Sequence, residues 1–170
     1  MAGKYKKHEV KQADEILGIG MKIGVVVSEW NEDITFRLRD ACTQTLLAHG
    51  VSQDNIIVSY VPGAFELPLG ARFLLLKEKL DGIVCLGCVI KGETKHDEYI
   101  AKAVATGIMS LGLTSGKPII FGVLTPNDHQ QALARADGSH GNKGEEAAIT
   151  VLKMVALGKQ AGTGKKGIGF

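Results

Sequence analysis

Residues 87–99 read Gly-Cys-Val-Ile-Lys-Gly-Glu-Thr-Lys-His-Asp-Glu-Tyr, and they bring an anion site and a proton carrier into one short span. An apolar run ending at Ile90 stops at Lys91-Gly92, and Glu93-Thr94 then lead into a helical pattern. A strand end, a glycine turn and a helix start gather unpaired backbone N–H groups and the positive end of a helix dipole at one point. His96 falls in that first turn, and imidazole is the side chain best suited to moving protons near neutral pH. The combination points to chemistry on a small phosphorylated or otherwise acidic molecule. Asp97 and Glu98 already complement the dipole, so a bound phosphate needs a cation from elsewhere. Arg135 and Lys143, flanking a glycine-rich joint late in the chain, are the available suppliers. Thr94-x-x-Asp97 also has the form of a capping box, in which Thr94 is a plain helix cap.

Other candidates carry two readings each. Trp30, the only tryptophan, either stacks on a flat heterocycle or lids the following helix. Phe65 and Phe121 share that ambiguity. Glu66 is either a favourable first-turn acid or an acceptor for ligand hydroxyls. Cys85-x-x-Cys88 lies inside a strand, where the odd offset sends the two thiols to opposite faces and no disulfide closes. Zinc would need a second ligand pair, and Cys42 is the one remaining cysteine. Gly18-Ile19-Gly20 precedes a strand instead of following it, and Gly112 to Lys117 has the wrong spacing for a phosphate loop. Neither a covalent nucleophile nor a metal nor another cofactor is called for.

The elements that must position these residues alternate. Lys22–Val27, Ile56–Val61, Gly82–Ile90 and Pro118–Leu124 read as buried strands. Ile34, Leu38, Cys42 and Leu46 share a helical face that ends at His49-Gly50. Further helices are expected over 65–79, around 100–111, over 129–136 and over 143–157. Strands alternating with helices imply right-handed crossovers and a parallel sheet covered on both faces, with ligands beyond the carboxyl ends of the strands. Residues 28–31, 62–66, 91–94 and 125–128 follow those ends and should converge on one edge.

The chain has 170 residues, enough for a single domain, with a polar arm over 1–20, a flexible joint at 18–20 and a mobile Gly/Lys tail over 158–170. A formal charge of +2 is too weak to argue for nucleic acid. No apolar run approaches a membrane span, and the first fifteen residues carry no secretory pattern. Three cysteines suit a reduced, cytoplasmic protein.

Taken together, Trp30-Asn31, Pro62-Gly-Ala-Phe-Glu-Leu-Pro68, Gly87 to Thr94, His96, Phe121 to Asp128, Arg135 and Gly141-Asn-Lys-Gly144 resemble the lumazine synthase family of riboflavin biosynthesis, over roughly Met21 to Leu157. The resemblance implies an α/β fold, a three-layer flavodoxin-like sandwich with a four-stranded parallel sheet flanked by helices. It implies condensation of 5-amino-6-(D-ribitylamino)uracil with 3,4-dihydroxy-2-butanone 4-phosphate to give 6,7-dimethyl-8-ribityllumazine, phosphate and water. By position, Trp30 is expected to stack on the pyrimidine, and Ala64, Phe65 and Glu66 to bind the ribityl chain. Cys88, Val89 and Ile90 would contact the pyrimidine edge through backbone. Glu93 and Thr94 would form the phosphate turn, with Arg135 its cation and Lys143 an extra contact. His96 would transfer protons, and Phe121 would come from a neighbouring subunit. The family further implies pentamers, here in an icosahedral shell, and a riboflavin synthase as partner. Two positions depart from the family pattern: Trp30 stands where Phe is frequent, and Asp97 where an aromatic is common. An archaeal-type riboflavin synthase, a flavin-binding or container homologue and a signalling module are the rival readings.

Overall fold

The apolar runs form four strands, β1 (Ile23–Ser28), β2 (Ile56–Val61), β3 (Gly82–Cys88) and β4 (Ile119–Leu124). All pair in parallel, in the order β2-β1-β3-β4, with Val25 beside Val58 and Val84, and Cys85 beside Phe121. This computed structural model describes residues 17–163. The polar arm before Leu17, with His8, and the end of the Gly/Lys tail lie outside the described residues.

Every residue of β1 and β3 is buried, because helices cover both faces of the sheet's centre. On one side α1 (Glu32–Ala48) and α5 (Lys143–Thr163) pack Leu38, Leu46 and Leu152 against Val25, Val27 and Leu86. On the other, α2 (Leu67–Lys77) and α3 (His96–Ser115) pack Leu67, Val104 and Ile108 against Val26, Ile83 and Cys85. Cys85 and Cys88 thus belong to opposite cores, as the strand offset requires. A short α4 (His129–Ala134) follows β4. The result is the expected three-layer α/β sandwich around a four-stranded parallel sheet.

Local chemistry explains the boundaries. Helix α1 stops at Gly50, whose φ of 91° turns the chain so that Val51 N–H reaches the Leu46 carbonyl at 3.1 Å. Asn142 starts α5: its Oδ1 accepts from Gly144 N–H at 2.8 Å and its Nδ2 donates to the Ala136 carbonyl at 2.8 Å. At Gly144 the α5 backbone meets α1, since a methyl there would overlap the Leu38 carbonyl oxygen.

Most boundaries differ from the sequence reading by a residue or two, among them the start and end of β1, both ends of α2 and the end of α4. Strand β3 ends at Cys88, two residues early, although Val89 N–H still bonds the Leu124 carbonyl at 2.8 Å. Helix α5 continues past Leu157 to Thr163, through Gly158 and Gly162, and Lys159 reaches Asp81 at 3.9 Å. The expected joint at 18–20 is a pinned turn: Gly18 N–H donates to the His49 carbonyl at 2.9 Å and Met21 N–H to the Gly18 carbonyl at 3.0 Å. Among the described residues no helix is long and apolar enough to cross a membrane.

Candidate active site

The strand order reverses between β1 and β3, so the loops leaving those two strands part and open a crevice at the carboxyl edge. The loop after β1 is tied down first. Glu29 N–H donates to the Val61 carbonyl at 2.8 Å and Trp30 N–H to the Pro62 carbonyl at 3.0 Å. Asn31 then adopts φ 60°, a left-handed conformation that Asn tolerates better than most residues. Its carbonyl accepts from Ile34 and Thr35 N–H at 2.9 Å, opening α1, while its side-chain Nδ2 donates to the Cys88 carbonyl at 3.1 Å. Buried Thr35 adds a bond from Oγ1 to the Ser28 carbonyl at 2.7 Å. The start of α1 is thereby joined to the end of β3.

After β2, the Pro62-Gly63 turn runs into a single 3-10 turn, Ala64–Glu66, which feeds α2. Glu66 turns its carboxylate back on that turn, accepting from Gly63 N–H at 3.0 Å. After β3, Lys91 N–H bonds the Pro126 carbonyl at 3.0 Å, and the chain passes through exposed Gly92, Glu93 and Thr94 into α3. The Thr94–Asp97 capping box does not form. Lys95 occupies the cap position without a side-chain bond, Thr94 Oγ1 accepts from His96 N–H at a long 3.4 Å, and Asp97 Oδ1 accepts from Gly92 N–H at 3.4 Å.

These loops enclose a cleft of about 400 Å³. Trp30, Ala64 and Phe65 line one side, Cys88, Val89 and Ile90 the floor, and Thr94 with exposed His96 the far rim. Asn31, Asp97 and Ile100 line it too, and sequence reasoning did not single them out as site residues. Asn31 had a signal, an Asn directly after a strand-end aromatic; its bond to Cys88 had none, since the two residues are 57 positions apart. Burial, and then the negative charge of Asp33, push the Cys88 thiol up to about 12. Burial does the same to Cys42 and Cys85. All three are thiols, not thiolates, at neutral pH. Among the described residues no group of His, Cys, Asp and Glu could hold a metal ion. At the start of α4, His129 Nε2 meets Asp33 Oδ2 at 2.6 Å, linking α4 to α1.

The other predicted residues lie elsewhere in the protomer. Glu66 and Glu93 are on the turns beside the cleft but not in its lining. Phe121, on edge strand β4, and Lys143, ion-paired to Glu146 at 2.6 Å, line a separate groove of about 830 Å³ between α3, β4 and α5. Arg135 is exposed at the end of α4, where its carbonyl accepts from Lys143 N–H at 3.0 Å.

Comparison with known proteins points to one family. The family model described as 6,7-dimethyl-8-ribityllumazine synthase matches residues 20–159. A protein of that name from Cytophaga hutchinsonii is 54% identical over 133 residues, covering 78% of this chain and 84% of its own. Another from Porphyromonas gingivalis is 48% identical over 140 residues, covering 82% and 87%. A third from Bacteroides fragilis is 47% identical over 135 residues, covering 79% and 94%.

Proposed function

The chain belongs to the 6,7-dimethyl-8-ribityllumazine synthase family, and from that premise we infer that the cleft between β1 and β3 is the larger part of an active site completed by a second copy. The enzyme is a transferase that condenses 5-amino-6-(D-ribitylamino)uracil with 3,4-dihydroxy-2-butanone 4-phosphate, releasing phosphate and water.

Trp30 stacks on the pyrimidine, and the Cys88–Ile90 backbone meets its edge. Ala64, Phe65 and Glu66 take the ribityl chain, Glu66 accepting from hydroxyls once its bond to Gly63 is shared. The turn at Glu93-Thr94 and the start of α3 receive the phosphate. His96 moves protons as the amine attacks the ketone, phosphate departs and the ring closes. A neighbouring subunit brings Phe121, Arg135 and Lys143. One observation carries this reading: a cleft of about 400 Å³ at the switch point is lined by an indole, strand-end residues, a threonine turn and an imidazole. Its companion is that Phe121 and Lys143 line a different groove, so a shared site needs two copies. Exposed Phe73 and Leu76 on α2, and Met109 and Leu113 on α3, supply apolar surface for that contact.

We take the chain as a single domain acting in the cytoplasm, assembled as pentamers in a hollow shell, with a riboflavin synthase consuming the product. The test is direct: purified protein mixed with both substrates forms the fluorescent lumazine. Positioning of two bound reactants supplies much of the acceleration. His96→Ala therefore lowers turnover by about 10²–10⁴-fold but leaves it measurable. An inert His96→Ala enzyme with intact fold and substrate binding would contradict this division of labour.

A further inference from the structure

Gly63 has φ −135° and ψ 176°, extended backbone open to any residue, so conformation gives no reason for glycine there. Space does. A methyl group on its Cα would stand 3.0 Å from Trp30 Cε3, 3.3 Å from Trp30 Cζ3 and 3.1 Å from Glu66 Oε2. The benzo edge of the indole therefore rests against the bare Cα of Gly63. The support is fixed from three sides. Glu29 and Trp30 N–H groups hold the Val61 and Pro62 carbonyls at 2.8 and 3.0 Å, and Glu66 Oε2 holds Gly63 N–H at 3.0 Å. Trp30 is the part free to move, since it is 71% exposed and lines the cleft, whereas Gly63 is buried. Any side chain at position 63 displaces the ring by a few tenths of an ångström before it displaces the turn.

We propose that Gly63 is a positioning residue that acts through Trp30: its missing side chain sets the height and tilt of the indole over the cleft, and hence the geometry in which the pyrimidine substrate stacks. The proposal rests on the reading of Trp30 as the stacking residue. A tilted ring loses stacking contact and holds the substrate amine off its line of attack.

Trp30 is the only tryptophan in the chain, so its fluorescence emission and near-ultraviolet circular dichroism report on the ring with no substrate present. Gly63→Ala is expected to shift both signals. It is also expected to raise KM for 5-amino-6-(D-ribitylamino)uracil about two- to tenfold, while KM for the phosphate substrate changes less than about twofold. Gly63→Val should exaggerate each effect. In a Trp30→Ala background, Gly63→Ala should add nothing to KM. An equal KM rise in that background, or a KM rise with unmoved emission, would overturn the proposal and point to Glu66. So would unmoved emission together with unmoved KM. If emission moves but Trp30→Ala itself leaves the pyrimidine KM unchanged, the role given to Trp30 has failed. The proposal then falls with it, although the Gly63–Trp30 contact stands. Should Gly63→Ala alone unfold the chain, recovery of the fold in the double variant would support the contact, and failure to recover would overturn it.

Discussion

Ser28 ends β1 fully buried, its hydroxyl near the Gly87 backbone and Ala64 and without a hydrogen-bond partner among the described residues. An unpaired buried hydroxyl costs about 1–3 kcal/mol. Ser28→Ala is therefore expected to keep or raise stability, by up to about 1 kcal/mol, in urea titration. A loss of that size would mean the hydroxyl finds a partner in solution. Trp30, Thr94 and His96 were legible from the chain because they follow strand ends, whereas Cys88 to Ile90, read as strand, entered only through the family resemblance. All of them meet in one cleft because the parallel sheet delivers its carboxyl ends to one edge. The ties among them were not legible. Asn31 reaches Cys88, and Gly63 seats Trp30, through contacts between distant segments that no local pattern encodes. The Thr94–Asp97 pattern misled because the helix begins at His96, two residues beyond Thr94, so Lys95 takes the cap position.

At the scale of elements, the central strands were the most readable, because burial on both faces demands unbroken apolar sequence. Helix ends were less so. Glycines near 158 and 162 suggest a stop, yet α5 runs through them at about 1 kcal/mol each relative to alanine. The packing of the preceding turns against α1 and β3, with Lys159 toward Asp81, outweighs that cost. The start of α5 depends on one side chain. Asn142 is 8% exposed, caps Gly144 N–H and satisfies the Ala136 carbonyl. Asn142→Ala removes the cap and orphans a buried carbonyl, for an expected loss of about 2 kcal/mol in chemical denaturation. Asn142→Asp keeps the acceptor at the positive helix end and should recover part of it. Equal losses for the two variants would show that the cap contributes nothing.

At the scale of the whole molecule, each chain holds two separate sets of residues: His96 and Trp30 at the cleft, and Phe121 and Lys143 in the groove beside β4. Head-to-tail contact between copies would join one chain's cleft to its neighbour's groove. His96→Ala and Arg135→Ala chains, each impaired alone, should then complement when dissociated, mixed and reassembled, with about one quarter of sites regaining both residues. Light scattering on the same samples reports whether pentamers or shells carry that activity. Mixtures no more active than the average of their components would place the whole site within one chain. The opposite edge of the sheet has its own consequence. Lys22 bonds Glu78 at 2.7 Å and Lys159 reaches Asp81 at 3.9 Å there, so the last turns of α5 and the entry into β1 share the edge remote from the cleft. A bulky label attached at Lys22 or Lys159 would sit at that far end of the protomer, and substrate traffic at the mouth would go unimpeded.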